Sequence, residues 1–119
     1  MENPFDRRPA PSLAWLLQVI TGAALIVLLG LHLVAQHFVV EGGLRNFDDV
    51  VSYLRNPVVL VLEMLFLVMV ATHAMLGVRA IVLDLGVSDR VELLVGRVVT
   101  VVGVATVGYG AWLTWVVIH

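Results

Sequence analysis

The chain has 119 residues, of which 61% are hydrophobic and only 13% are charged, and its mean hydropathy is +1.02. Soluble domains are about half apolar and a quarter charged, so this composition excludes an ordinary water-soluble domain and indicates a membrane protein. The formal net charge of −2 gives no sign of a nucleic-acid partner, and the partner that the composition does indicate is the lipid bilayer. The absence of cysteine excludes disulfides and thiolate ligation of a metal or iron–sulfur cluster by these residues.

Three apolar stretches are long enough to cross a bilayer. They cover residues 13–40, 58–83 and 93–118, and each exceeds the roughly 20 residues that span a hydrocarbon core. The polar, proline-rich residues 1–12 precede a run that is too long for the apolar region of a cleaved signal peptide. We therefore predict an all-α membrane protein, with an N-terminal cytoplasmic segment followed by a single transmembrane domain of three helices over residues 13–119.

The basic residues, all arginines, indicate the topology. Arg7 and Arg8 precede the first span. Arg79, Arg90 and Arg97 lie on either side of the loop between the second and third spans. Only Arg45 and Arg55 fall in the loop between the first and second spans. By the positive-inside rule, this excess places the N-terminus and the second loop in the cytoplasm.

The connectors carry helix-boundary signals. Residues 46–55 form an amphipathic pattern with Asn46 as its N-cap, which predicts a short interfacial helix. Start and stop signals for the later spans come from Asn56, Pro57, Gly86, Ser88 and Asp89. The third span has glycines at intervals of seven, which favours close packing against a neighbouring helix; they are Gly96, Gly103 and Gly110.

His73 is the principal candidate functional residue, because ionisable groups inside a membrane are costly and usually pair in a bundle or serve a site. It lies eleven residues before Asp84, roughly 16 Å from the inner end of its span. From the residues alone its partner can be a packing hydrogen bond, a proton relay or a metal, of which haem iron suits an apolar bundle best. Gly77 would leave room for a porphyrin, and Arg79 could pair with a haem propionate.

The segment HAMLGVRAIVLDLG, residues 73–86, resembles the His-x-x-x-Gly-hydrophobic-Arg-x4-Asp signature of the membrane-anchor subunits of succinate dehydrogenase and fumarate reductase. The first span resembles that family's small-residue-Gly pair followed by a histidine, here Gly22 and His32. The resemblance implies that His73 is an axial ligand of haem b, with Gly77 and Arg79 in the roles given above.

The same resemblance implies the partners. They are a flavoprotein subunit, an iron–sulfur subunit and a second membrane-anchor subunit that supplies the opposite haem ligand, in the cell (inner) membrane of a prokaryote. Such an anchor is not catalytic alone. It passes electrons between the iron–sulfur subunit and quinone while succinate or fumarate reacts on another subunit.

A quinone site near the cytoplasmic face is also implied by the family. Its positions correspond here to Ser12, Trp15, Gln18 and Asp84. Two residues depart from the family pattern, since Val19 stands where an arginine is common and Leu85 replaces a tyrosine. These departures favour a site held mostly by the partner anchor, and by family resemblance a two-haem anchor favours menaquinone.

Three further polar residues lie nearer the outer surface. His32 lies roughly 28 Å from the start of its span, too far out to share an iron with His73, and the family's two-haem members suggest a second, stacked haem there. His37 suits an interfacial polar role. Glu63 suits a structural hydrogen bond or, alternatively, proton transfer during quinol chemistry.

Two other functions compete with the electron-transfer anchor. In a small transporter or proton-conducting subunit without haem, the membrane histidines and Glu63 would form a relay. In a purely structural assembly subunit, partner chains would hold the haem alone.

Overall fold

The computed structural model describes residues 10–44 and 46–119. Four helices follow in order: α1 (Leu13–Phe38), α2 (Phe47–Arg55), α3 (Pro57–Asp84) and α4 (Asp89–Ile118). Helices α1, α3 and α4 are each long and apolar enough to cross a membrane. The predicted all-α fold with three membrane-spanning helices is therefore confirmed. Arg7, Arg8 and Arg45, on which the predicted topology partly depends, lie outside the described residues, as does most of segment 1–12.

The helix ends differ from the predicted ones by a few residues, for local reasons. Helix α1 ends two residues early because Gly42 and Gly43, with φ of 77° and 81°, turn the chain away soon after Phe38. Helix α4 begins four residues early. Its first turn carries Asp89 and Glu92, which interact favourably with the free N–H groups of a helix start. A prediction based on runs of apolar residues does not include such a polar turn.

Side-chain caps begin the two helices of the first connector. Asn46 and Asp49 form a capping box at the start of α2, each side chain accepting from the other's backbone N–H. The Asn56 side chain accepts from the N–H of Val58 at 3.0 Å, and Pro57 occupies the first turn of α3. At the other connector Gly86 has a φ of 68°, as predicted for a helix end.

Helix α3 is the centre of the bundle. It packs against α1 on one side and against α4 on another, and α2 lies across α3 and α4. Within the described residues, the buried hydrophobic side chains are few; they are Leu28, Ala35, Tyr53, Val59 and Ala71. Most of the apolar surface of the spans is therefore left to face lipid or other chains.

Glycines of α4 let α3 approach closely. A Cβ atom built on Gly103 would lie 1.9 Å from Met75 Sδ, and one on Gly110 would lie 2.6 Å from Leu67 Cδ2, so α3 side chains fill both positions. Nothing lies within 4 Å of a Cβ on Gly96. Two of the three glycines predicted to form a packing stripe therefore contact α3 within the chain.

We expect Gly103→Ala to destabilise the protein by about 1–3 kcal/mol, because the added methyl group would overlap the Met75 side chain and force it to move. Gly108→Ala is the matched control, since its Cβ would enter open space and alanine favours the helix. The thermal unfolding midpoint of the detergent-solubilised protein measures the effect. Equal midpoints for the two variants would contradict this packing.

Candidate functional site

The His73 side chain faces α1, which supplies its hydrogen-bond partners. Its Nδ1 lies 3.1 Å from the Gln18 carbonyl oxygen and 3.2 Å from Thr21 Oγ1. A carbonyl oxygen can only accept, so Nδ1 carries the proton and donates it. The ring is thereby held in the tautomer whose lone pair is on Nε2, and Nε2 has no hydrogen-bond partner among residues 10–44 and 46–119.

Gly22 is the small residue beside the imidazole. A Cβ atom on Gly22 would lie 3.0 Å from Cε1 of His73, which is tighter than ordinary packing. A Cβ on Gly77 would instead lie 3.4 Å from Gln18 Nε2. In this structure Gly22 thus admits the ring and Gly77 faces the Gln18 amide; that Gly77 also leaves space for a porphyrin remains a prediction.

Two adjoining cavities form a groove between α1 and α3, which we call the α1–α3 groove. One, of about 360 Å³, is lined by Trp15, Gln18, Val19, Gly22, Ala23 and His73. The other, also about 360 Å³, reaches the end of the bundle where α1 begins, and its polar or aromatic lining residues are Ser12, Trp15, Gln18, Arg79 and Asp84. Because Trp15 and Gln18 line both cavities, the groove leads from the imidazole to that end.

The α1–α3 groove unites most of the predicted site residues. We call the cavity at the end of the bundle the outer cavity of the groove. All four residues assigned to quinone line it, together with Arg79, the residue assigned to a haem propionate. Ser12 has a structural role as well, because its Oγ accepts from the backbone N–H of Trp15 at 3.2 Å and caps α1. Arg79 and Asp84 are exposed, so both charges are accessible from outside the chain.

His32 lies outside this groove, in a separate polar cluster. Its Nδ1 is 2.7 and 2.8 Å from the two carboxyl oxygens of Glu63, and its Nε2 is 2.9 Å from the Gln36 side-chain amide nitrogen, which donates to it. Its ring stacks on Phe66 with centroids 4.7 Å apart. Both ring nitrogens therefore have partners within the chain, and a metal at Nε2 would have to displace Gln36. The role of His32 as a ligand remains a prediction.

Tyr53 joins α2 to the same cluster. Its hydroxyl donates to Glu63, and its side chain is 2% exposed. Burial, and then the adjacent Glu63 carboxyl, raise the pKa of the Tyr53 phenol well above its usual value. Glu63 thus accepts hydrogen bonds from α1 and α2 and ties both to α3. His37 is exposed near the end of α1.

The described part of the chain contains no group of three or more His, Asp or Glu residues that could hold a metal ion. An axial haem ligand is a different arrangement, because the porphyrin supplies four nitrogens and one chain need contribute only one imidazole. His73 meets that smaller requirement, with its other nitrogen already bonded.

Comparison with known proteins identifies the family. Residues 7–117 match the family model described as "Succinate dehydrogenase/Fumarate reductase transmembrane subunit". The chain belongs to this family. Two relatives are each named "Succinate dehydrogenase hydrophobic membrane anchor subunit". One from Archaeoglobus fulgidus is 35% identical over 85% of this chain and 86% of its own length. One from Thermoplasma acidophilum is 30% identical over 84% of this chain and 81% of its own length.

These findings confirm the predicted membrane-anchor family and a multi-pass membrane protein. Sequence reasoning missed the role of Thr21, the residue that precedes Gly22. It also considered Glu63 and His32 separately, although they bond to each other. The signal available was spacing: Gly22 to His32 and Glu63 to His73 are both ten residues, as two antiparallel helices with paired contacts require.

We expect Tyr53→Phe to lower the stability of the protein by about 1–3 kcal/mol near neutral pH, because a buried carboxyl loses a donor. The folded pKa of Tyr53 is raised above its unfolded value of about 10, so wild-type protein keeps this stabilisation below that pH and loses it as the pH rises further. The wild-type advantage over Tyr53→Phe should therefore shrink above about pH 10.

Thermal unfolding of the solubilised complex at a series of pH values measures this difference. Tyr109→Phe is the control, because Tyr109 is 62% exposed. A wild-type advantage over Tyr53→Phe that stays constant to the highest pH would contradict the burial of the phenol against Glu63.

Proposed function

We propose that this chain is an anchor of a succinate:quinone oxidoreductase, in which it supplies one axial ligand of haem b and helps to pass electrons between the iron–sulfur subunit and membrane quinone. The observation that carries the proposal is the state of His73. Its Nδ1–H is bonded to α1, and its Nε2 lone pair remains available beside the α1–α3 groove.

The donor set fits haem iron. Histidine ligands bind metals through one neutral nitrogen while the other donates to a carbonyl or similar acceptor, which fixes the ring and increases its basicity. The Gln18 carbonyl and the Thr21 hydroxyl provide that support here. Bound haem would supply a one-electron carrier inside the membrane, and the second anchor subunit would supply the opposite ligand.

Arg79 would hold a propionate of the same haem. It lies six residues beyond His73 on α3, roughly 9 Å along the axis, and it lines the outer cavity of the groove. A guanidinium group is the side chain best suited to hold a carboxylate at a membrane surface.

Quinone would occupy the outer cavity of the α1–α3 groove. A quinone head group is flat and largely apolar, with two carbonyl oxygens that need donors. Trp15, Gln18 and Arg79 line the cavity with indole, amide and guanidinium N–H groups, and the Asp84 carboxyl lies at the same cavity. We propose menaquinone as the quinone if the complex holds two haems, by resemblance to the family's two-haem members.

The proposed orientation places this cavity at the cytoplasmic face. The excess of arginines on the N-terminal segment and on the ends of α3 and α4 that flank their connector supports a cytoplasmic N-terminus. The flavoprotein and iron–sulfur subunits would then cover the end of the bundle where α1 begins, and the chain would lie in the cell membrane of a prokaryote.

His73→Ala should remove haem b from the purified complex, because the iron loses its ligand from this chain. His37→Ala is the control, since His37 is exposed at the end of α1 and should leave the haem unchanged. Haem per complex and the reduced-minus-oxidised absorption spectrum measure both. A spectrum unchanged in His73→Ala would contradict ligation and favour a structural assembly subunit.

The number of haems follows from the same measurement on His32→Ala. A complex with one haem should keep it in this variant, because His32 is bonded to Glu63 and Gln36. Loss of one of two haems would instead establish His32 as the ligand of a second.

Trp15→Ala should raise the KM for quinone by roughly five- to tenfold, since a lost contact is worth on the order of 1 kcal/mol. Succinate oxidation with a water-soluble electron acceptor should be unaffected, because that reaction bypasses the anchor. Asp89→Asn is the control, being an exposed carboxylate of α4 outside the groove. The same KM for Trp15→Ala and Asp89→Asn would contradict the quinone assignment.

A further inference from the structure

We propose that Thr21 is a positioning residue that tunes the haem through His73. The inference rests on the function proposed above and deepens it. Thr21 and the Gln18 carbonyl share the Nδ1 proton of His73, and this shared bond sets the orientation of the ring and the electron density at Nε2.

The Thr21 hydroxyl is itself fixed by α1. Its Oγ1 lies 2.7 Å from the Leu17 carbonyl oxygen and 3.1 Å from the Gln18 carbonyl oxygen, and donates its one proton to these carbonyls of its own helix. In helices, threonine hydroxyls commonly donate to a carbonyl of the preceding turn. Such a bond leaves an oxygen lone pair of Thr21 for the Nδ1–H of His73. With 6% of its surface exposed, Thr21 is the buried polar residue among those described, so water does not compete for the bond.

Thr21 differs from the other threonines in the helices because its hydroxyl also accepts from a side chain of a second helix. Thr72, Thr100, Thr106 and Thr114 also donate to the carbonyl four residues earlier. None of these four hydroxyls bonds to a second helix within the described ranges. Thr72 is next to His73 in sequence and lacks the contact, which makes it a matched control.

Gly22 restricts the same ring from another side. Because a Cβ there would lie 3.0 Å from Cε1, the α1 backbone lies directly against the imidazole edge. The adjacent residues Thr21 and Gly22 therefore both position the ring. Thr21 accepts a hydrogen bond from Nδ1–H, and Gly22 lacks the side chain that would displace the imidazole.

For a bound haem, the consequence of these contacts is a change in its midpoint potential. An imidazole whose N–H donates strongly is a better electron donor to iron, and a stronger donor stabilises the ferric state over the ferrous state. Removing one of the two acceptors should therefore raise the midpoint potential. Because Gln18 still accepts, we expect up to a tenfold fall in the ferric-to-ferrous ratio at a given potential, about 59 mV for one electron.

The test compares Thr21→Val, Thr21→Ser and Thr72→Val in the purified complex. Haem content, a spectroelectrochemical titration of the midpoint potential and the EPR spectrum of the ferric haem are measured for each. We expect Thr21→Val to raise the potential and shift the EPR g-values, Thr21→Ser to restore both, and Thr72→Val to match wild type. A purely structural role would not produce rescue of the potential by serine.

Two outcomes would overturn the inference. One is a Thr21→Val complex with wild-type haem content, potential and EPR spectrum. The other is loss of haem in both Thr21→Val and Thr21→Ser, which would mean that the hydroxyl is not the determinant. Loss in Thr21→Val alone would support it. His73→Ala in the same series separates this question from ligation itself: retained haem there would overturn the proposed function, whatever Thr21 shows.

Discussion

The close approach of α1 to α3 is the interaction on which the rest of the structure depends. It is possible because Gly22 has no side chain, which lets the α1 backbone reach the edge of the His73 ring. At that separation a backbone carbonyl and a hydroxyl of α1 fall within hydrogen-bond distance of the imidazole. In lipid there is little hydrophobic force between helices, so backbone proximity and interhelical hydrogen bonds hold such a pair together.

The contact belongs to a regular antiparallel register. Gln18 faces Gly77, Gly22 faces His73, and His32 faces Glu63, so each step along α1 is matched by an equal step back along α3. His32, Glu63 and His73 are thereby each paired with a polar group on the other span. The polar residues determine how the two helices align, whereas their many interchangeable apolar residues do not.

The sequence was sufficient to predict the helices and the motif but not this register. Long apolar runs and capping residues such as Asn46 and Asn56 are local signals, and the structure has the helices they predict. The His73 motif and the quinone-assigned residues were found by resemblance, and the structure brings them to one groove. Which glycine lies against the imidazole depends on how two helices rotate against each other, and hydropathy carries no information on that rotation.

The order of the helices along the chain has a consequence for how the protein enters the membrane. His73 and Glu63 of α3 have hydrogen-bond partners on α1 and α2, both of which precede α3 in the sequence. Because a chain is synthesised from its N-terminus, the acceptors for His73 already exist when α3 emerges. An unpaired imidazole or carboxyl would be costly in hydrocarbon, so this order shelters α3 during insertion.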